Sequence, residues 1–247
     1  MSRDLAAPPR GPVVVPDAVA ALAGADDVAP VWRNTLGGLT FRLFGGQGER
    51  YVKWVPTGTP EIDLDAEAER LVWAGRHTRV PRVLGRGQDA TGSWLATAAL
   101  PGRSAVDPTW LARPETAVRA IGAGLRALHD TLPVADCPFS SSATDRVARL
   151  EPAVGADVGP VPPVDRLVVC HGDACAPNTL VADDGTWAGH VDLGTLGVAD
   201  RWADLATASL SLGWNYGDGY EPLFFAAYDI EPDAERIAFY RRLWDLG

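Results

Sequence analysis

The first part of the chain shows the alternation of apolar and polar positions that is typical of β-strands. Apolar and polar residues alternate over 40–44 and again over 50–55, and a glycine-rich stretch separates the two segments. This arrangement predicts a β-hairpin. Residues 80–84 and 93–99 are predicted as further strands, and the spacing of small and apolar residues over 61–77 predicts a helix between the hairpin and these strands.

The residues before this hairpin carry a weaker pattern. Residues 1–30 are rich in Pro, Ala and Asp, so we expect a loosely ordered start with one short helix over 17–23. Residues 34–40 contain two adjacent glycines, which is typical of a turn between two strands.

After residue 102 the apolar spacing becomes that of helices. One apolar stripe predicts a helix over 114–129, and it consists of Val118, Ile121, Leu125 and Leu128. Residues 151–165 are rich in Pro and Gly, which excludes a long helix there. We further expect a strand over 166–170, a hairpin over 179–193, and helices over 202–212, 220–228 and 233–245.

The change from strand to helix patterning predicts an α+β protein with two lobes. The smaller, β-rich lobe covers residues 1–98, and the larger, mainly helical lobe covers residues 99–247. The linker falls at about 97–103, where an apolar strand runs into Leu-Pro-Gly. The length of 247 residues is sufficient for either one large domain or two small lobes with real cores.

Charge and cysteine content exclude several classes of protein. The chain has 32 acidic and 22 basic residues, and its net charge of −10 argues against a nucleic-acid partner. No segment approaches the run of about 18 apolar residues that a membrane span needs, and the N-terminus has no apolar signal core. The three cysteines, Cys137, Cys170 and Cys175, lack metal-site spacing, so we expect reduced thiols in a cytoplasmic protein.

The basic residues are very unevenly divided between the two types. Arginine accounts for 21 of the 22, and the only lysine is Lys53. A general preference for arginine explains most of these positions. The position that kept a lysine is then a candidate for a role that a guanidinium cannot fill.

The densest cluster of reactive residue types lies in 171–178 and is followed by Asp192-Leu193-Gly194. Asp173 and Asn178 lie five residues apart in one predicted loop, and the hairpin after it returns Asp192 to the same end of the sheet. Carboxylate and amide oxygens are the ligands that Mg²⁺ prefers beside phosphate oxygens and water. In phosphoryl transfer, one aspartate orients the attacking hydroxyl, while a second aspartate and an asparagine hold magnesium.

These residues resemble the kinase-like aminoglycoside phosphotransferases, specifically the 3′- and 3″-enzymes. Both the family's H-G-D-x-x-x-x-N loop and its D-x-G motif are present, and the resemblance covers about residues 32–247. Other matching segments are 100–102, 128–139, 145–147, 197–206 and 237–240. The resemblance implies a protein-kinase-like fold in which the N-terminal lobe binds the nucleotide and the C-terminal lobe carries catalysis and the acceptor.

The resemblance also implies a role for individual residues. Asp173 corresponds to the catalytic aspartate, and Asn178 and Asp192 correspond to the magnesium ligands. Lys53 corresponds to the lysine that grips the α- and β-phosphates, and Glu67 to its helix partner, with Glu69 as the alternative. The expected nucleotide contacts are completed by Tyr51 against adenine, Thr97 and Ala99 on the linker strand, and Gly37 and Gly38 over the phosphates. Gly37-Gly38 is equally compatible with a plain hairpin turn.

Other polar residues near these motifs are expected to have structural roles. His171 is interpreted as a hydrogen-bonding residue of the loop rather than as a base. Asp200 and Asp204 are expected to bind backbone and arginine groups of the C-terminal lobe.

The sequence departs from the family at three places on the acceptor side. Thr195 stands where the family usually has an arginine, and a neighbouring arginine is one candidate to replace that charge. Residues 148–170 replace a longer helical insertion, and the acidic-aromatic tail of the 3′-enzymes is missing. Asp245 is the comparable acidic residue near the end of the chain, so it is the candidate acceptor contact.

We therefore expect an ATP- and Mg²⁺-dependent O-phosphotransferase. Its acceptor is a hydroxyl of a small cationic molecule, most plausibly an aminoglycoside antibiotic of the aminocyclitol class. A kinase for another hydroxylated antibiotic or metabolite is the first alternative, and a non-catalytic nucleotide-binding relative is the second. We expect a monomer or a weak dimer.

Overall fold

The computed structural model describes residues 7–60, 62–151, 155 and 157–246. The chain divides into two compact units. The first unit comprises the residues up to Gly75 together with Pro81–Ala99, and the second comprises Arg76–Val80 together with the residues from Leu100 onward. Each unit is built around its own sheet and helices.

The first unit contains a five-stranded antiparallel sheet. The order of the strands in this sheet is β1-β2-β3-β5-β4. The strands are β1 (Asp27–Arg33), β2 (Leu39–Phe44), β3 (Arg50–Pro56), β4 (Val83–Gln88) and β5 (Gly92–Ala98).

Helix α1 (Asp17–Ala23) covers one face of this sheet. Its buried Val19 and Ala23 belong to a core cluster with side chains of the central strands, namely Phe41, Leu43, Val52 and Ala96. Because neighbouring residues of a strand point to opposite faces, the residues between these positions lie on the other face. That second face carries Tyr51 and Lys53.

Helix α2 (Leu64–Ala74) follows β3 and is shorter than the predicted helix over 61–77. Asp63 caps its first turn, because the side chain accepts a hydrogen bond of 2.9 Å from the amide of Ala66. The helix ends at Gly75. The predicted first residue, Glu61, lies outside the described residues.

The second unit combines small sheets with most of the helices. Strand β7 (Leu167–Cys170) pairs with β10 (Gly197–Asp200), and β8 (Thr179–Val181) lies between β6 (Arg103–Ser104) and β9 (Trp187–His190). The helices are α3 (Pro108–Leu111), α4 (Pro114–Thr131), α5 (Ala143–Arg149), α6 (Trp202–Tyr216), α7 (Glu221–Tyr228) and α8 (Ala234–Leu246). Within the described ranges, no helix is both long and apolar enough to cross a membrane.

Helix α4 forms the centre of the second unit. Its predicted apolar stripe is buried, with Val118, Ile121, Leu125 and Leu128 at 1% exposure or less. The helix packs against α7, whose Phe224 and Tyr228 are also fully buried. The 3.6-residue period therefore identified the face of α4 that forms the core.

Several elements differ from the predictions, and the strand that was predicted over 80–84 is found at Val83–Gln88. Strand β1 begins at Asp27, where a loosely ordered start was expected, because its residues pair with β2 and gain their hydrogen bonds from tertiary contacts. Strand β10 was not predicted, since four residues after a turn carry little local signal. Helix α5 was not predicted either, and its cap is the side chain of Ser142, which accepts from the amide of Asp145.

Candidate active site

The nucleotide-contact candidates of the first unit lie on the sheet face opposite α1. Tyr51 pairs directly with Thr97 across β3 and β5, and Lys53 pairs with Leu95. Residues that face each other across an antiparallel pair share a face, so Tyr51, Lys53 and Thr97 lie side by side. All three are half-buried.

Lys53 and Glu67 form an ion pair with two hydrogen bonds. The ammonium Nζ donates to Glu67 Oε1 at 2.7 Å and to Oε2 at 2.9 Å. The Glu67 carboxylate is buried in α2, where an uncompensated charge would be costly. The predicted alternative, Glu69, lies instead beside Arg86, at 3.8 Å on an exposed surface.

The Gly37-Gly38 loop is the turn between β1 and β2. Asn34 Oδ1 accepts hydrogen bonds from the amides of Leu36 at 3.1 Å and Gly38 at 2.7 Å. Gly37 has a φ of +89°, and a Cβ at Gly38 would lie 2.6 Å from the Asn34 side chain. In this conformation the loop's amides bond within the turn, as in the plain hairpin alternative.

The end of the linker strand is fixed by Glu49. The amide of Ala99 donates to the Glu49 carbonyl at 3.2 Å, and the Tyr51 hydroxyl donates to Glu49 Oε1 at 3.1 Å. Burial, with a smaller contribution from the Glu49 charge, raises the pKa of Tyr51. Tyr51 is therefore a neutral phenol with an oriented ring at neutral pH.

The catalytic candidates of the second unit follow β7. The loop over 171–178 ends in a 3₁₀ turn, Ala176–Asn178, which directs the Asn178 side chain back to Asp173. Asn178 Nδ2 donates to the Asp173 carbonyl at 2.9 Å and to Asp173 Oδ2 at 3.1 Å. Within the described part of the chain, the buried Asp173 Oδ1 has no hydrogen-bond partner.

Asp192 lies in the turn after β9 and contributes a second carboxylate. Its φ is +65°, a left-handed conformation that is uncommon for a residue other than glycine and is often found at functional sites. Burial and then the negative charge of Asp192 raise the pKa of Asp173. The structure thus brings Asp173, Asn178 and Asp192 together, as the sequence predicted.

This donor set fits a magnesium ion. The amide nitrogen of Asn178 is engaged with Asp173, which leaves its Oδ1 as an oxygen ligand. The carboxylates of Asp173 and Asp192 repel each other, and a divalent cation would relieve this repulsion. Oxygen ligands from one amide and one or two carboxylates are the usual protein contribution to a magnesium site.

Asp204 anchors the beginning of the loop over residues 171–178, which is called the catalytic loop below because it carries the catalytic candidate Asp173. The Asp204 carboxylate accepts from the amides of His171 at 2.6 Å and Gly172 at 2.9 Å, and from His129 Nε2 at 2.9 Å. Although burial opposes ionisation, the hydrogen bond from His129 and the nearby charges lower the pKa of Asp204. Asp200 likewise accepts from the amide of Asp165 and from Arg236, so both aspartates have the structural roles that were expected.

Gly172 is required by the close approach of the turn around Thr195. Its φ is +87°, and a Cβ there would collide with the carbonyl of Thr195. Thr195 itself is exposed. The position that usually carries an arginine in the family is therefore beside the catalytic loop, but it supplies no charge here.

His171 is a structural residue whose tautomer follows from its partners. Nε2 lies 2.9 Å from the carbonyl of Val191 and must donate, so Nδ1 accepts from the amide of Asp173 at 3.3 Å. The ring is fully buried and stacks edge-on against His190. Both ring nitrogens are used to shape the loop, which agrees with the predicted structural role.

No sequence pattern singles out Ser211, which supports the same loop from α6. Ser211 Oγ accepts from the amide of Ala176 at 2.9 Å and from Asn215 Nδ2 at 3.2 Å. The Cys175 thiol lies beside Asp173 and Ser211, and burial raises its pKa well above the ordinary value. A lone serine in an apolar helix carries no sequence signal for this contact.

Asp245 lies on the last turn of α8 and is exposed. Its neighbour Trp244 packs against Trp214 of α6, with ring centroids 5.2 Å apart. This aromatic pair joins the end of the chain to α6, the helix that also supplies Ser211. The role of Asp245 in binding an acceptor stays a prediction.

Comparisons with known proteins find similar phosphotransferases. The model of the phosphotransferase enzyme family matches residues 34–163 and 143–240. The chain is 36% identical to an aminoglycoside 3′-phosphotransferase of Streptomyces fradiae over 84% of this chain and 90% of that protein. It is 35% identical to a streptomycin 3″-kinase of Streptomyces griseus over 78% of this chain and 83% of that protein.

The fold agrees as well. A 3″-aminoglycoside phosphotransferase of Streptomyces rimosus, solved in complex with ADP and streptomycin, is 30% identical and matches with a TM-score of 0.67 over 92% of this chain and 95% of that chain. The predicted α+β, protein-kinase-like fold class is confirmed, with its five-stranded sheet and its mainly helical C-terminal part.

Proposed function

The chain belongs to the phosphotransferase enzyme family, and we propose that it transfers the γ-phosphoryl group of ATP to a hydroxyl of an aminoglycoside. The observation that carries this proposal is the half-buried Asp173, which Asn178 orients and whose buried Oδ1 has no hydrogen-bond partner among the described residues. A carboxylate oxygen in this state is suited to accept the hydrogen bond of an alcohol. The relatives named above support the acceptor class.

Asp173 would act as the base of the reaction. The acceptor oxygen attacks the γ-phosphorus while the bond from that phosphorus to the β,γ-bridging oxygen breaks, and ADP leaves with the electron pair. The hydroxyl proton passes to Asp173 Oδ1, and the products are a phosphate ester, ADP and one proton. Asn178 keeps Oδ2 occupied, so the proton is directed to the other oxygen.

Asn178 Oδ1 and the carboxylate of Asp192 would hold Mg²⁺. When bound, the ion would neutralise charge on the phosphates of the nucleotide. Asp204 would keep the loop in place, because it fixes the amides of the two residues that precede Asp173. These roles give the second unit the catalytic and acceptor-binding functions.

The first unit would bind the nucleotide. Lys53, held by Glu67, would contact the α- and β-phosphates with a compact ammonium group. Tyr51 would stack on adenine, and Thr97 and Ala99 would contact its edge. The amides of Leu36 and Gly38 now donate to Asn34 Oδ1. Gly37 and Gly38 would approach the phosphates only if these amides release Asn34 and donate to the phosphates instead.

An acidic surface favours a cationic acceptor. The net charge of −10 attracts polyamines at a distance, and exposed carboxylates such as Asp245 can bind ammonium groups directly. Relatives of both the 3′ and the 3″ type match at similar identity. The experiment below therefore also determines which hydroxyl is phosphorylated.

The direct test is ATP turnover against a panel of acceptors. Kanamycin, neomycin and streptomycin represent the two aminoglycoside types, and a macrolide and ethanolamine represent other hydroxylated acceptors. We expect a phosphate ester of at least one aminoglycoside, with the position assigned by NMR of the product. Transfer only to a macrolide or a metabolite would favour the first alternative.

The non-catalytic alternative makes a different prediction. Tight ATP binding without transfer to any member of the panel would support it and would overturn the proposal. Asp173→Ala serves as the control, because the proposal requires that this variant lose transfer while it retains ATP binding.

A further inference from the structure

Arg146 lies on the inward face of helix α5. The residues of α5 and its end that point inward are Ala143, Arg146, Val147 and Leu150, and they follow the helical spacing of one stripe. Three of these four are apolar. Arg149, about one turn further on, is exposed, and its positive charge acts on Arg146.

The guanidinium of Arg146 makes neither a hydrogen bond nor an ion pair among the residues that the structure describes. A guanidinium carries five donors, and at the half-buried Arg146 they remain open to a ligand. The buried Arg50, by contrast, pairs with Asp26 at 2.7 Å.

The start of α5 is fixed against the strand pair that leads to the catalytic loop. The amide of Ser141 donates to the carbonyl of Val198 at 3.0 Å in β10. The neighbouring Gly197 pairs with Cys170, the residue directly before His171. Helix α5 is therefore held next to the backbone from which Asp173 projects.

Two carboxylates of this region act on Arg146. Burial, and then the positive charge of Arg149, lower the pKa of the guanidinium, whereas the negative charges of Asp204 and Asp173 oppose that effect. Asp204 is fully engaged by His129 and the loop amides. An additional anion near Asp173 would supply the acceptors that Arg146 lacks.

We propose that Arg146 is an anion-binding residue of the catalytic unit, and that its guanidinium receives oxygen atoms of the phosphoryl group that is transferred at Asp173. The bonds formed and broken are those of the transfer given above, on which this proposal rests. Arg146 changes no bond and gives up no proton, but it would hydrogen-bond the oxygens on which negative charge accumulates. Thr195 supplies no charge in the neighbouring turn, so Arg146 would be the cation at this place.

The chemical class of the ligand follows from charge. A fixed guanidinium repels the ammonium groups of a cationic acceptor, so the occupant is the phosphoryl group rather than the drug. Arginine is suited to this role because its fork of donors matches two phosphate oxygens at once.

The test compares Arg146→Met with Arg149→Met. Both variants remove one guanidinium from the same helix, but Arg149 is exposed whereas Arg146 is half-buried. We expect Arg146→Met to lower kcat by about 100- to 1000-fold, as for the loss of one donor to a transition-state oxygen. Its melting temperature should stay equal or rise by a few degrees, because an unpaired charge is replaced by an apolar side chain. Arg149→Met should match the wild type in both measurements.

A binding measurement separates this proposal from the choice of acceptor. In the presence of ADP and MgCl₂, inorganic phosphate should raise the melting temperature of the wild type and of Arg149→Met, but not that of Arg146→Met. Arg146→Lys should recover part of the shift, since it restores a point charge. If no aminoglycoside is phosphorylated by the wild type, the proposed function fails, while the phosphate shift still decides the role of Arg146.

Two results would overturn the proposal. The first is an Arg146→Met protein with wild-type kcat and an unchanged phosphate shift. The second is a parallel loss of kcat and melting temperature that Arg146→Lys does not reverse, because this is the signature of a side chain that only supports the fold.

Discussion

The charged candidates of the two units differ in how completely the protein itself satisfies them. In the first unit, Lys53 and Glu67 neutralise each other through two hydrogen bonds. In the second unit, Asp173 keeps one buried oxygen without a partner within the described ranges, and the charge of Asp192 adds to the cost. One site is stable as it stands, whereas the other is held in an unfavourable state by its surroundings.

This difference corresponds to the two proposed tasks, which are nucleotide binding in the first unit and phosphoryl transfer in the second. A paired lysine is positioned in advance and loses little freedom when a phosphate arrives. A carboxylate with one buried, unpartnered oxygen gains most when a hydroxyl and a cation complete its surroundings. The unfavourable position of Asp173 is maintained by contacts of the neighbouring backbone. Asp204 makes two of them, because it accepts hydrogen bonds from the amides of His171 and Gly172.

The largest expected effect is that of Asp173→Asn. The substitution keeps the shape and removes the base, so kcat should fall by about 10³-fold or more, while KM for ATP changes little. The melting temperature should not fall, since a buried charge is removed. Steady-state kinetics and a thermal unfolding scan measure both. A variant with near wild-type kcat would show that another group accepts the proton.

The next effect is on stability, at Asp204. Asp204→Asn presents an amide to three donors, so the free energy of unfolding should fall by about 3 kcal/mol. Chemical denaturation at neutral pH measures this loss. Asp183→Asn is the matched control, because Asp183 forms an exposed ion pair with Arg103 that should contribute almost nothing.

The ionisation of Asp204 also predicts that the free energy of unfolding depends on pH. The pKa of Asp204 is lower in the folded chain than its ordinary value of 3.8. The ionised carboxylate therefore stabilises the fold above the unfolded pKa, and this contribution is lost as the pH falls through the folded pKa. The stability difference between the wild type and Asp204→Asn should be constant near neutral pH and should shrink below about pH 4. A difference that widens on acidification would contradict this assignment.

A smaller effect is expected for Lys53→Arg. The charge is kept, but a planar guanidinium replaces a compact ammonium, so KM for ATP should rise by about tenfold. Arg42→Lys is the control, because Arg42 lies in the neighbouring strand of the same sheet and forms an exposed pair with Glu49. If both substitutions leave nucleotide affinity unchanged, the single lysine is a consequence of composition alone.

The smallest predicted effect concerns the helix that positions Glu67. Asp63→Ala removes the cap of α2 and should lower the free energy of unfolding by about 1 kcal/mol. Asp65→Ala, in the exposed first turn of the same helix, should cost less. Equal losses at the two positions would mean that charge at the helix start matters rather than the cap.

The sequence predicted the parts of the molecule that repeat a period or match a motif. The stripe of α4, the hairpin of β2 and β3, and the juxtaposition of Asp173, Asn178 and Asp192 all follow from local patterns. Lys53 and Glu67 were matched by the family resemblance and are paired in the structure.

The remaining features depend on contacts that are distant in the chain. Strand β10 exists because β7 pairs with it, and α5 is fixed by residues around Val198. Ser211 lies 35 residues after the amide that it accepts from. Arg146 belongs to a segment that the resemblance had included, but only the three-dimensional structure shows that its guanidinium has no partner among the described residues.

The single lysine has a practical consequence for labelling. Apart from the chain terminus, Lys53 carries the only primary amine in the sequence. An amine-directed acylating reagent can therefore modify one side chain per molecule, and the mass of the intact protein reports the occupancy of that one position. Protection by ADP would turn the Lys53–Glu67 pair into a built-in reporter of nucleotide binding, without any engineered probe.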